Sequence, residues 1–569
     1  MRSDDNLDFN NSSPKNFLKN HVNSIIFLLL LTVIVSIITY YRILVQIELG
    51  PVYDSFVFLA NALVFSGHSI GYSDLLRPPF FSFIISLLFR LGYTSANTIF
   101  VVDGILFVFG VIGMFMLLKI RFNDLESFLG GLIYATFPIV LIYLGFGFSD
   151  LASVSFSIWA IYFMILAFKK DSRFFYLAFP FFMFAFLTRY NNGLLIFPLF
   201  LYILINSDKI NFKNLIIGII ASFFVILPVL IFFYEKFGNI IYPLMSFGST
   251  STAVSISTET ASYNPNIFYF LQMLPVYIGL QGKLIVLIVA LGIVLYLILR
   301  ILRIKDNKHS FEGLNLKSRY SKIKLVSFVI LVVAFLISFD KTVYMVSEVL
   351  FFALAYLFYE ITRSMKIKKM DLHVLFFSWF MVFFIFSSIF VIKDDRYFLL
   401  MAPPVVYFMI LGLSEISNIH KFKIKNNNVI FPVLTIILTL IILFSNATLI
   451  PTIRQANNGD LIANQQIEMA SQWFVNYDPN YKNQNIYSDL SPNFSWYLNT
   501  NVKQIPVFKN NQTFIGVNND SFTQEDSNEF NNYLVTNNAD YYFCIRNGLN
   551  LTSYKPIKQF GNVIIYKRE

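Results

Sequence analysis

The sequence has very little cysteine and very little charge. One cysteine, Cys544, occurs in 569 residues, so the chain can build neither an intramolecular disulfide nor a thiolate metal cage. Charged residues make up 13% of the chain, whereas hydrophobic residues make up 56%. This balance excludes an ordinary soluble globular protein and is typical of a polytopic membrane protein.

Three further absences narrow the function. No internal repeat is evident in the sequence, although many secondary transporters are built from repeats. No glycine-rich nucleotide-binding loop occurs either. Residues 1–23 are polar and precede an apolar run long enough to span a membrane, so we expect a signal anchor rather than a cleaved signal peptide. The net charge of +10 fits cytoplasmic loops, and we expect no nucleic-acid partner.

Long apolar segments dominate the chain up to residue 450. They predict an α-helical polytopic membrane domain over residues 24–450, after a cytoplasmic tail of residues 1–23. About thirteen spans are predicted: 24–44, 96–119, 128–145, 151–168, 174–188, 192–206, 214–234, 283–303, 323–339, 343–362, 373–392, 397–415 and 428–450.

Basic residues predict the orientation of these spans. With thirteen spans, basic clusters such as 169–173, 300–324 and 366–369 all fall on the cytoplasmic side, as the positive-inside rule requires. The apolar piece 80–92 would reverse every later loop if it were a span. Because it is also too short to cross a bilayer, it is predicted to be an interfacial or re-entrant helix.

This orientation places three regions outside the cytoplasm, on the outer face of the cell membrane. They are the loop 45–95, the loop 235–282 and the tail 451–569. The tail is polar and rich in asparagine, and its pattern predicts a separate soluble α/β domain. The predicted elements are helices near 462–475 and 525–535 and strands at 485–488, 540–545 and 563–567.

Two aspartates stand where the chain leaves the membrane. Asp54 follows the first span, and the apolar residues of 56–64 after it predict an amphipathic helix on the membrane surface. Asp150 stands at the outer mouth between two spans. Each carboxylate can act in catalysis as a base or hold a divalent metal, and each can equally cap the helix that follows it.

Three arginines on the same outer side stand against the positive-inside trend. Arg77 precedes two prolines, and a guanidinium there can bind a phosphate or reach toward lipid head groups. Arg189 and Arg396 are each followed by a tyrosine, Tyr190 and Tyr397, that can stack on a sugar or a lipid. Charged groups at a bilayer surface suit a substrate with an apolar tail and an anionic head. The alternative is a flippase or transporter of the same hydrophobic bulk.

Two other polar residues are candidates for substrate contacts. His68 lies in the first outer loop, and without a second outer histidine a zinc site is not expected there. Glu348 lies about one turn inside an outer helix end, where it can pair with one of the arginines or reach back to the interface. The sequence does not decide whether Asp54 and Asp150 bind a divalent metal.

The order of these motifs over residues 24–450 resembles the GT-C glycosyltransferases. The likeness is to the dolichyl-phosphate-mannose-protein mannosyltransferase type of family 39, and especially to the prokaryotic lipid A aminoarabinose transferase branch. The motifs are Asp54 after the first span, Arg77 before two prolines, GFSD ending at Asp150, LTRYNNG around Arg189, and DRY around Arg396.

The resemblance implies a GT-C fold and an inverting sugar transfer. The donor would be a polyprenyl- or dolichyl-phosphate sugar, and the acceptor an exterior glycan, lipid or protein. In that family the aspartate corresponding to Asp54 is the proposed catalytic residue, the basic residue corresponding to Arg77 faces the lipid phosphate, and the aspartate corresponding to Asp150 is a further active-site residue. Protein O-mannosyltransferases usually carry Asp-Glu at the first position, whereas Ser55 follows Asp54 here.

Overall fold

The protein is mostly helical, with a small sheet domain at its C-terminal end. A computed structural model describes residues 14–245, 264–304, 319–363, 369–390, 393–419, 423–424, 427–505, 508–509, 512–513, 523–545 and 549–569.

The α-helices of these residues follow the apolar segments of the sequence. They are α1 (Pro14–Leu49), α2 (Tyr53–Ser66), α3 (Phe80–Arg90), α4 (Thr98–Lys119), α5 (Asp124–Thr136), α6 (Pro138–Tyr143), α7 (Ser149–Lys169), α8 (Phe175–Thr188), α9 (Ile196–Ile205), α10 (Phe212–Phe237), α11 (Tyr269–Tyr277), α12 (Gly279–Ile304), α13 (Arg319–Ser338), α14 (Tyr344–Thr362), α15 (Met370–Ile389), α16 (Ala402–Ile419), α17 (Ile430–Ala456), α18 (Asn458–Tyr477), α19 (Ser491–Leu498) and α20 (Gln524–Thr536).

The strands lie mainly in the C-terminal domain. They are β1 (Lys423–Ile424), β2 (Asn427–Asn428), β3 (Ile486–Ser488), β4 (Lys503–Gln504), β5 (Phe508–Lys509), β6 (Gln512–Thr513), β7 (Tyr541–Cys544), β8 (Tyr554–Phe560) and β9 (Val563–Arg568). The main sheet has the order β4-β3-β7-β9-β8. Strands β4, β3 and β7 run parallel, and β9 pairs antiparallel with both β7 and β8. The predicted α/β character of the tail is therefore confirmed, although β8 was not predicted.

Seven helices of the described residues are long and apolar enough to cross a membrane. They are α4, α7, α10, α14, α15 and α17 together with Val22–Leu49 of α1. An eighth span results if α11 and α12 are counted together, although these two helices are bent by 104°. Each of the thirteen predicted segments contains a helix, but the count of thirteen crossings stays a prediction.

The predicted span 128–145 is interrupted. Its residues form α5, which ends at Thr136, and the short α6, which begins at Pro138. Proline is favoured at the first position of a helix, and the residue before it is restricted to extended conformations, as Phe137 is here with a ψ of 133°. The break directs the chain after α6 into the turn that leads to Asp150.

The short helices α2 and α3 pack against each other in one apolar cluster. Helix α3 has 11 residues and starts after Pro79, in agreement with the short helix predicted at 80–92. The position of α2 along the membrane surface stays a prediction, but the helix is packed more closely than an amphipathic surface helix requires. Its residues from Ser55 to Leu63 are all buried, because α3, α4 and the C-terminal domain cover them.

Two long helices, α7 and α15, connect the two ends of the helix bundle. We call the end that carries Asp150 and the C-terminal domain the domain end, and the end that carries Lys169 the opposite end. Helix α7 runs from Asp150 to Lys169, and α15 runs back from Met370 to Ile389. At 1.5 Å per residue, each helix of about 20 residues covers about 30 Å, the thickness of a bilayer core.

Candidate active site

The carboxylate of Asp54 lies between two arginines. Its Oδ1 is 2.9 Å from Nη2 of Arg77, and its Oδ2 is 2.9 Å from Nη1 of Arg396. Arg396 is 342 residues away in the sequence, so only the fold brings this pair together. Each oxygen of one carboxylate thus binds a different guanidinium.

The end of α1 sets the position of Asp54. Helix α1 ends at Leu49, Gly50 then adopts a φ of +83°, and Pro51 prevents the helix from continuing. Helix α2 begins at Tyr53 with Val52 as its N-cap, so Asp54 falls in its first turn. The alternative of Asp54 as a helix cap is wrong, because its carboxylate binds the arginines and no side chain caps α2.

Arg77 is held from three sides in the loop between α2 and α3. Its Nε is 3.0 Å from Oδ2 of Asp74, and its guanidinium lies 5.6 Å from the centre of the Phe58 ring. The Asn61 side chain fixes Asp74 in turn, since it donates to the Asp74 carbonyl and accepts from the Asp74 N–H. Arg77 therefore does not reach out to lipid head groups.

Asp150 and Arg189 form a second, more deeply buried pair. Arg189 Nη1 is 2.5 Å from Oδ1 of Asp150, whose side chain is 3% exposed. The Arg189 guanidinium lies 5.4 Å from the centre of the Tyr397 ring. Asp150 does not cap α7, whose N-cap is Phe148 and whose first turn has no side-chain cap. A carboxylate so buried needs its arginine, because an unpaired charge there would be costly.

Arg396 joins the two pairs. It opens a 3₁₀ turn in which Asp394 accepts a hydrogen bond from the Arg396 N–H and pairs with its Nε at 2.8 Å. The guanidinium lies 5.3 Å from the ring of Phe148, next to Asp150 in the sequence. Electrostatic attraction from Asp150, Asp394 and Asp54 raises the pKa of Arg396 despite its burial.

These arginines determine the charge state of Asp54. Burial alone raises its pKa, but the guanidiniums of Arg77 and Arg396 outweigh burial and lower it to about 2. The same carboxylate and Asp74 raise the pKa of Arg77. Asp54 is therefore ionised at neutral pH, and as long as both arginines hold it, it is a weak proton acceptor.

Three tyrosines hold the segment before Arg396. The hydroxyls of Tyr269 and Tyr277 donate to Oδ1 of Asp395 at 2.7 and 2.6 Å. The hydroxyl of Tyr143 donates to Oδ1 of Asp394 at 3.1 Å. No role was predicted for these tyrosines from the sequence. The two adjacent aspartates before Arg396 are the signal that could have pointed to such partners.

Lys393 fixes the same segment from the membrane side. Its ammonium donates to the carbonyls of Ser387, Ser388 and Phe390 at 2.5–2.7 Å. These carbonyls lie at the C-terminal end of α15, where a cation is favoured by the helix dipole. Burial lowers the pKa of Lys393 to about 8.

Two of the predicted contact residues, His68 and Glu348, do not join the charged cluster within the described residues. A third, Tyr190, is buried, and its ring lies 5.5 Å from that of Phe186. His68 is exposed, and its Nδ1 is 3.2 Å from the Ser66 hydroxyl. Glu348 forms no ion pair with an arginine in the described part of the chain, where its buried carboxylate oxygens accept no hydrogen bond.

The cluster does not fit a divalent metal at Asp54 and Asp150. Within the ranges that the structure covers, no three His, Cys, Asp or Glu side chains are grouped to hold a metal ion. The donor set also opposes a metal, because both Asp54 oxygens bind guanidiniums and Arg189 faces Asp150. A divalent cation placed among these arginines would be repelled by their positive charges.

The C-terminal domain packs directly on the first loop. The Asn464 amide of α18 donates to the carbonyls of Leu49 and Pro51 at 3.2 and 2.9 Å. The ring of Phe56 in α2 lies 5.8 Å from that of Tyr497 in α19. A side chain at Gly50 would meet Asn464 at 3.0 Å. The helix that presents Asp54 is therefore enclosed between the membrane helices and this domain.

Comparisons with known proteins agree with this architecture. Residues 76–232 match the model of the dolichyl-phosphate-mannose-protein mannosyltransferase family. No curated protein sequence matches the chain.

Two solved structures of ArnT from Cupriavidus metallidurans are similar to the chain over nearly its whole length. One is bound to undecaprenyl phosphate and is 11% identical; the other is in the apo state and is 12% identical. Each superposes with a TM-score of 0.52 and covers 95% of this chain and 97% of that chain. The chain therefore has the fold of the GT-C glycosyltransferases, in its ArnT-like form, as the motifs in its sequence predicted.

Proposed function

We propose that the protein is a membrane glycosyltransferase that moves a sugar from a polyprenyl- or dolichyl-phosphate donor to an acceptor outside the cytoplasm. The observation that carries this proposal is the meeting of three arginines and two carboxylates, from distant parts of the chain, at one end of a GT-C bundle. The similar fold of ArnT, which has been seen with undecaprenyl phosphate, supports this class of donor.

Donor binding and activation of the base are coupled in this proposal. Each guanidinium of the cluster is already paired with a carboxylate, and in this proposal the donor phosphate takes the place of one of these carboxylates. Asp54 is the exchangeable partner, because Asp74 and Asp394 hold their arginines from within the same loops. Once phosphate takes its place, Asp54 loses the charges that lower its pKa and becomes a better base.

The reaction then follows an inverting displacement. Asp54 takes the proton of the acceptor group, and the freed electron pair forms the new bond to the anomeric carbon from the face opposite the phosphate. The bond between the anomeric carbon and the phosphate oxygen breaks, and the polyprenyl phosphate leaves with that electron pair. Arg77 and Arg396 stabilise the charge of the departing phosphate, while Asp150 keeps Arg189 in place. Tyr397 lies over Arg189 as a candidate sugar contact.

The residue after Asp54 bears on the acceptor. The hydroxyl of Ser55 donates to the Phe146 carbonyl at 2.6 Å and so ties α2 to the turn before α7. The position that usually carries glutamate in protein O-mannosyltransferases therefore has a structural task here. We propose a glycan or lipid acceptor ahead of a protein acceptor.

The decisive experiment is an assay of purified protein with a panel of polyprenyl-phosphate sugars and candidate acceptors. We expect one donor to lose its sugar and to release polyprenyl phosphate, and we expect Asp54→Asn to stop this release. Translocation of an intact lipid-linked sugar across a vesicle membrane, with no release, would instead identify a flippase.

Orientation has its own test. We propose that the domain end faces the outside of the cell membrane, because the basic loops then lie in the cytoplasm. A membrane-impermeant thiol reagent should label Ser521→Cys in intact cells and leave Ser310→Cys unlabelled. Labelling of Ser310→Cys would reverse the proposed orientation.

A further inference from the structure

A second group of charged residues surrounds a cavity at the opposite end of the bundle. The cavity has a volume of about 610 Å³. Four basic side chains line it, and one carboxylate faces them: Lys169, Lys209, Arg363, Lys369 and Asp371. The residues come from the ends of α7, α14 and α15 and from the turn after α9, so only the packed bundle forms this cavity.

The cavity is well separated from the cluster around Asp54. Lys169 ends the helix that Asp150 begins, and Met370 begins the helix that Lys393 caps at its other end. Each helix spans about 30 Å. A ligand in this cavity therefore cannot touch the proposed active site. The inference uses the orientation proposed above but does not depend on the proposed transfer activity.

The charges that line the cavity do not balance. Asp371 pairs with Lys169 at 3.1 Å and also accepts a hydrogen bond from the Tyr202 hydroxyl. Arg363 lies 3.8 Å from Glu360, which is a loose contact, and its side chain is 61% exposed. Among the ion pairs of the described residues, none contains Lys209 or Lys369. Among the described residues, Lys209 and Lys369 thus have no ion-pair partner, and Arg363 has only this loose one.

Like charges held around a concave surface attract an anion. Lys369 uses one of its three donors on the Ile120 carbonyl, which holds its ammonium in place at the start of α15. Helix α15 begins there without a side-chain cap, so its positive end adds to the field in the cavity. Phe168, Tyr359 and Met370 supply apolar surface beside these charges.

We propose that this cavity binds a phosphate group, carried by the head group of an anionic membrane lipid or by a soluble phosphate compound. An arginine fork suits a phosphate, and the lysines supply point charges around it. Basic pockets between membrane helices are known to hold anionic head groups on the cytoplasmic side, the side where our orientation puts this end. The apolar lining leaves room for the glycerol and the first carbons of the lipid chains.

The test uses the purified full-length protein. Its melting temperature is measured, and the lipids that it retains are identified by native mass spectrometry. Three additions are compared: phosphatidylglycerol, phosphatidylcholine and inorganic phosphate. The variant Lys209→Gln/Arg363→Gln removes two cavity charges. The matched control, Arg173→Gln/Lys213→Gln, removes two exposed charges that do not line the cavity.

We expect phosphatidylglycerol, but not phosphatidylcholine, to stabilise the wild type and the control. The cavity variant should bind phosphatidylglycerol about tenfold or more weakly, since each basic residue near a membrane surface contributes to anionic binding. Arg363→Lys keeps the charge and loses the planar fork, so its affinity for phosphatidylglycerol should lie between those of the wild type and the cavity variant. If inorganic phosphate alone raises the melting temperature of the wild type and not that of the cavity variant, the cavity is a phosphate site whose ligand is a soluble phosphate compound.

Equal responses of the cavity variant and the control to every anion would overturn the proposal. The basic residues would then serve only to orient the protein in the membrane. Sugar transfer should be the same in all of these variants, so a failure of the cavity proposal is distinguishable from a failure of the proposed enzyme activity.

Discussion

Basic and acidic side chains cluster at both ends of α7 and α15, but they are paired differently at the two ends. At the domain end, Arg77, Arg189 and Arg396 are each paired with at least one aspartate. At the opposite end, four basic side chains face one carboxylate. In our proposal a ligand at the domain end replaces a carboxylate, whereas a ligand at the opposite end binds to basic residues that outnumber their carboxylate partners. Binding at the domain end should therefore be selective, and binding at the opposite end should depend more on salt.

Burial sharpens this contrast. Arg189 is 13% exposed and Arg396 is 23% exposed, whereas Arg363 is 61% exposed. Ion pairs shielded from water are screened little, but exposed ones contribute little to stability. Neutralising one member of the domain-end cluster should therefore disturb its neighbours, and the same change at the opposite end should stay local. The following variants test this difference.

The largest effect is expected for Asp54→Asn. The amide cannot take a proton from the acceptor, so sugar transfer should fall by about 10²- to 10⁴-fold. Donor binding should stay intact or tighten, because the donor phosphate no longer competes with a carboxylate for Arg77 and Arg396. Transfer rate and donor affinity should be measured on the same preparation. Normal transfer by this variant would remove Asp54 from the mechanism.

Arg77 is expected to come next. Arg77→Ala should weaken use of the lipid-phosphate donor by about 2–4 kcal/mol, and Arg77→Lys should weaken it less, since lysine keeps the charge but loses the fork. Arg90→Ala is the matched control, because Arg90 lies at the end of the adjacent α3 and binds only the Phe65 carbonyl among the described residues. Equal loss of donor and acceptor use in Arg77→Lys would identify a structural arginine instead.

A smaller effect is expected for Tyr277→Phe. It removes one of the two hydroxyls that hold Asp395, and Tyr269 keeps the other bond. A hydrogen bond to a charged group contributes about 1.5–3 kcal/mol, so we expect the donor KM to rise about tenfold. Tyr134→Phe is the control, because its buried hydroxyl has no partner among the described residues. A fall in melting temperature without a change in KM would contradict the positioning role.

The smallest effect concerns Lys393 and pH. Its pKa is about 8 in the folded protein and 10.5 when unperturbed, so between these values the unfolded chain binds more protons at this residue. The contribution of Lys393 to the free energy of unfolding should therefore rise with pH over this interval. The melting temperature of the wild type should therefore rise by about 1–2 °C relative to that of Lys393→Met between pH 8 and pH 10.5. Parallel curves would show that Lys393 does not titrate there.

The sequence predicted where the helices lie along the chain better than it predicted how they pack against one another. Long apolar runs reveal membrane helices directly, and the short run 80–92 was recognised because its length does not suffice for a span. The break before Pro138 was missed, since the apolar pattern continues across it, although the proline itself was a visible signal. The full burial of α2 was not predicted, because part of its cover comes from residues more than 400 positions away.

The sequence predicted the main charged residues of the candidate site, but it did not predict which of them form ion pairs. Asp54, Arg77, Asp150, Arg189 and Arg396 stood out because charge is rare near the outer ends of apolar spans. Their pairing joins residues up to 342 positions apart, which no local pattern encodes. Asn61 and the tyrosines that hold Asp394 and Asp395 look like ordinary loop and helix residues in the sequence.

The contact between the C-terminal domain and the first loop has a consequence for biosynthesis. Domains generally fold in the order in which the ribosome makes them. Here Asn464 and Tyr497, which are made late, support Leu49, Pro51 and Phe56, which are made early. The helix that carries Asp54 can therefore reach its final packing only after the C-terminal domain has been made and has folded. A truncated or stalled chain would contain the residues of the candidate site without the packing that positions Asp54.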